Sequence, residues 1–100
     1  MDTALNLRDL PQVGEKELSG YTFATKEVYD HAEDMRVRYV ALDKAVTLSG
    51  SKLVKAMLVV NTDKGFIAIK THIIGMNESG VALEGKTFVP MHAIYSVNIE

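Results

Sequence analysis

No cysteine occurs in the 100 residues. Its absence removes disulfide staples, thiolate zinc sites, iron–sulfur ligation and thiol nucleophiles, and it leaves the redox compartment unassigned. No apolar stretch approaches the roughly 18 residues of a membrane span. The segment Met1 to Leu10 carries Asp2, Arg8 and Asp9 and has neither the basic nor the apolar region of a secretory signal. A cytoplasmic protein with no membrane partner is expected. A formal charge of -2 gives no general attraction to phosphate backbones, so nucleic acid is disfavoured as a partner.

What is present is ordinary globular composition, 47% hydrophobic and 24% charged, which predicts one folded domain. Residues 1 to 24 mix residue types without a sustained period and are punctuated by Pro11 and Gly14. They predict a partly flexible arm, whose Leu5, Leu7 and Leu10 could pack along the body or against a second copy. Residues 25 to 100 form the domain proper.

Thr25 is placed to cap a helix. Beyond it Val28, Ala32, Met35, Tyr39, Leu42 and Val46 recur at helical spacing, acids precede bases, and Ser49-Gly50 ends the pattern. Met35 to Val40 also alternates with period two, so residues 35–41 remain open between helix and strand.

From Leu53 onward the chain alternates and turns at glycines. Leu53 to Asn61 is apolar on both faces, Thr62-Asp63-Lys64-Gly65 turns, and Phe66 to Met76 makes a long strand with a bend or bulge at Gly75. Val81 to Glu84 and Thr87 to Val89 follow, then a 3₁₀ turn after Pro90, and finally Tyr95 to Ile99. The expected fold is mainly β, a five-stranded, antiparallel, strongly bent small barrel preceded by an N-terminal α-helix.

Gly65 to Ile99, and within it the run Gly80-Val81-Ala82-Leu83-Glu84-Gly85-Lys86-Thr87-Phe88-Val89-Pro90-Met91-His92-Ala93-Ile94-Tyr95-Ser96-Val97, resembles the closing strands of Sm-like small β-barrels. The resemblance implies a barrel of that kind. Sm-type RNA binding is associated with an aspartate and asparagine in the first strand pair and an arginine-glycine step after the fourth strand. Here those regions read Asn61-Thr62-Asp63 and Phe88-Val89-Pro90, and no arginine follows Arg38. The RNA site therefore does not carry over.

His31, His72 and His92 have no ligand spacing between them, so no metal is expected. Thr47-Leu48-Ser49-Gly50-Ser51-Lys52 lacks the setting of a nucleophile elbow or a phosphate loop. No cofactor, catalytic grouping or small-molecule substrate is indicated, and a non-enzymatic binding module is expected. The doubly apolar strands predict a surface for a protein partner or for homo-oligomerisation involving Leu53, Met57, Phe66 and Ile74. The alternative is an RNA-binding barrel in which Arg36, Arg38, Lys52, Lys55, Lys70 and Lys86 make the contacts.

Overall fold

A computed structural model describes residues 9–49 and 55–99. Its elements in order are β1 (Gln12–Val13), a 3₁₀ helix (Glu15–Gly20), α1 (Ala32–Ser49), β2 (Ala56–Thr62), β3 (Gly65–Thr71), β4 (Ile73–Asn77), β5 (Gly80–Leu83), β6 (Phe88–Pro90), a 3₁₀ turn (Met91–Ala93) and β7 (Ile94–Ile99). The strands form two sheets, ordered β1-β3-β2-β7 and β4-β5-β6. The expectation of an N-terminal helix before a five-stranded, strongly bent small barrel is corrected here: a strand and a 3₁₀ helix precede α1, and the described residues make two sheets and no closed barrel.

The long strand expected from Phe66 to Met76 is two strands. It breaks at His72, between the sheets, and carries a bulge in which Ile74 is the extra residue between the Ile73–Leu83 and Gly75–Ala82 pairs. The Asp63-Lys64 turn joins β2 to β3 antiparallel, with Gly65 at a φ of +101°, where glycine carries no penalty.

The core lies between the sheets. Leu58, Val60, Ile67 and Ile69 meet Ile73, Val81, Leu83 and Val89, and Leu42 and Ala45 of α1 complete the cluster. α1 packs on β7 and β4, which are edge strands of the two different sheets. It thus covers one open side of the molecule and hides two edges.

The described part of the N-terminal segment is bound to the body. β1 pairs parallel with β3, Leu18 and Val13 are buried, and Phe23 bridges to Thr62. Glu15 fastens it: its carboxylate accepts hydrogen bonds from the Gly85 N–H (2.9 Å), the Thr87 N–H (3.1 Å) and the Thr71 hydroxyl (3.3 Å). Glu15→Ala is expected to cost about 1 kcal/mol, since the Gly85 N–H can turn to water and the buried Thr71 hydroxyl keeps the His72 carbonyl as an acceptor at 3.4 Å. Hydrogen exchange should quicken across 12–20 and not across β2, and uniform quickening would contradict this local role.

Candidate functional site

The sequence places α1 six residues too early, with its cap at Thr25 rather than His31. Backbone groups of residues 24–29 are engaged elsewhere: Ala24 N–H donates to the Asn61 carbonyl, Val28 N–H to the His92 carbonyl and Tyr29 N–H to the Glu27 carboxylate, each at 3.0 Å. The helix instead begins after His31, whose carbonyl accepts from the Asp34 and Met35 N–H groups at 3.1 and 3.2 Å. Residues 35–41 are helical, which decides against the strand reading.

The seat of α1 is polar at its centre. Arg38 is only 6% exposed, and its guanidinium grips Glu27 with two hydrogen bonds of 2.6 and 2.7 Å. It also donates to the Ile94 carbonyl at 3.1 Å and lies 5.4 Å from the centre of the Tyr29 ring. Burial alone would raise the Glu27 pKa, but the Arg38 hydrogen bonds and charge, with the Tyr29 and Val28 N–H groups, hold it below the ordinary glutamate value.

Tyr29 stacks on Tyr95 with ring centres 5.6 Å apart and donates its hydroxyl to the Tyr95 carbonyl. Burial, then the neighbouring Tyr95, pushes its phenol pKa up. Tyr95 reaches this position because it is the extra residue of a β-bulge, between the Val59–Ser96 and Val60–Ile94 pairs. Phe66 meets the same ring edge-on at 5.5 Å. A cavity of about 150 Å³ remains between α1 and β7, lined by Arg38, Ala41 and Ser96 among others. The Arg38 Nε and Ser96 Oγ groups are buried there without a hydrogen-bond partner.

With Met35, Arg38, Leu42, Ala45 and Val46 turned toward the body, the opposite side of α1 carries Glu33, Val37, Val40, Lys44 and Leu48. Val37 is 58% exposed, Val40 51% and Leu48 51%. A shallow groove of about 520 Å³ runs along Glu33, Arg36, Val37, Val40, Ala41 and Lys44. Its signal, a second apolar series at helical spacing, is in the sequence and competes there with the first.

The residues expected to form a partner surface are separated. Met57 and Phe66 share the outer face of the four-stranded sheet and are half-buried, Ile74 stands on β4 of the other sheet and is exposed, and Leu53 lies outside the described residues. The expected cations are dispersed likewise. Arg38 is buried on Glu27, Arg36 pairs with Glu33 at 2.6 Å, Lys55, Lys70 and Lys86 are exposed on separate segments, and Lys52 lies outside the described residues.

The histidines occupy three places: His31 precedes α1, His72 sits at the break between β3 and β4, and His92 holds the Ala24 carbonyl through Nε2 at 2.7 Å. Among the described residues, no group of three or more histidine or carboxylate side chains is arranged for a metal ion, and no helix is long and apolar enough to cross a membrane. Comparison with known proteins finds no matching family model, no matching curated protein and no matching solved structure.

Proposed function

We propose that this protein is a non-enzymatic binding module that docks protein through the outer face of α1. The observation that carries the reading is the second apolar stripe: Val37, Val40 and Leu48 stay more than half exposed on a helix whose other side is already seated. Isolated exposed apolar residues need no explanation, but an aligned series on one rigid element presents a surface. The polar groups beneath, Arg38 and Glu27, are committed to each other and fix the helix in place. Glu33 and Lys44 give the face charges of both signs, which suits a protein partner better than a phosphate backbone.

A photoreactive amino acid at position 40 tests this in living cells, with position 79, in the exposed turn before β5, as control. A discrete protein adduct is expected from position 40 only, and it should disappear when Val37→Glu is added. Equal labelling at both positions, or none at position 40, would end the reading.

A further inference from the structure

The outer face of α1 repeats at steps of four, three and four: Glu33, Val37, Val40, Lys44. Read backwards, the spacing is the same, with valines still central and acid and base exchanged. Such an order is complementary to itself when one copy is turned end for end.

We infer that the occupant of this face is a second copy of the same chain, its α1 antiparallel to the first about a two-fold axis level with the junction of residues 38 and 39. The inference rests on the reading of this face as a docking surface. In that register Val37 lies against the partner's Val40 and Val40 against the partner's Val37. Glu33 faces the partner's Lys44 at one end, and the reciprocal pair closes the other, as an isologous contact requires. Arg36 falls opposite the partner's Ala41, whose single methyl leaves room for the aliphatic stem of the arginine. Parallel helices would instead set Glu33 near Glu33 and Lys44 near Lys44, which is repulsive at both ends. The apolar contact is small, so the dimer is a weak and dynamic one.

Charge exchange tests the pairing directly. Light scattering should show the mass rising with concentration from 11.0 kDa toward twice that value. Glu33→Lys and Lys44→Glu should each weaken the dimer roughly tenfold, because each turns two attractive pairs into repulsive ones. Mixed in equal amounts, with one variant nitrogen-15 labelled so that the masses separate, the two should recover a dimer containing one of each, seen by native mass spectrometry. Both chains in that dimer carry a substitution, so recovery separates lost pairing from damaged folding.

A monomer at every concentration, with position 40 still labelling a different protein in cells, would overturn the second-copy inference and leave the docking surface standing. A dimer indifferent to both substitutions would overturn it too. Loss of labelling at position 40 altogether would remove the docking reading itself.

Discussion

Glu27→Ala is expected to cost the fold about 3 kcal/mol and to lower Tm on the order of 15 °C, because it leaves a buried guanidinium without its counter-charge. Arg38 has only 4% of its side chain exposed, against 25% for Glu27. The two partners are thus unequal. Arg38→Met removes the charge and keeps much of the volume, while the stranded Glu27 can still turn to water, so it should cost less than Glu27→Ala. Thermal melts of the two variants settle the order, and a more damaging Arg38→Met would show that the arginine acts through packing rather than charge.

Acid should reproduce the effect gradually. The folded-state pKa of Glu27 is lower than the ordinary value. Its stabilisation is therefore fully present above the unfolded-state pKa and fades as pH falls through the folded one. The difference in stability between the native chain and Glu27→Gln should be constant near neutrality and narrow from about pH 5 downward. A difference that stays fixed to pH 3 would contradict the ionic account.

The second large effect is expected at Gly80. A Cβ placed there would stand 2.1 Å from the Val89 carbonyl oxygen and 3.0 Å from the Met91 nitrogen, both backbone atoms, with φ at +157°. β5 and β6 pair at this point, Gly80 with Pro90, and Met91 N–H donates to the Ser79 carbonyl at 2.8 Å. Gly80→Ala must separate the two strands or break that bond, so a loss of at least about 3 kcal/mol is expected from strain and lost hydrogen bonds together. Gly75→Ala is the control, since nothing lies within 4 Å of its Cβ, and its effect should stay within about 1 kcal/mol. Equal chemical-denaturation midpoints for the two variants would refute the close approach at Gly80.

The same contrasts show what a sequence can disclose here. Alternation and glycine turns located β2, the β3–β4 segment, β5, β6 and β7 to within a few residues, because those signals are local. The inward face of α1 departs from the hydrophobic pattern for a physical reason. Arg38 takes the central buried position that a hydrophobicity pattern would give to Tyr39, which is 41% exposed. An arginine can be buried only where a counter-charge waits, and Glu27 lies in an irregular segment whose course is set by His92, Asn61 and Tyr95. β1 is two residues long and has no period to detect. The break at His72 carries no glycine or proline to announce it. The outer apolar series of α1 is present in the sequence, but only a helix already seated by its other side shows which of two apolar series is left exposed.

α1 rests on β7, the last of the described elements, and Arg38 reaches the Ile94 carbonyl across 56 residues of chain. During synthesis the helix is therefore complete long before its seat exists. Until Ile94–Ile99 leaves the ribosome, the part of α1 that β7 will cover is open together with its outer face, β4 being the only strand of the seat already made. Closure then comes from contacts distant in sequence, a topology that folds slowly and shows sticky surface while it waits. The nascent domain should engage holdase chaperones through α1, and release should coincide with the arrival of β7.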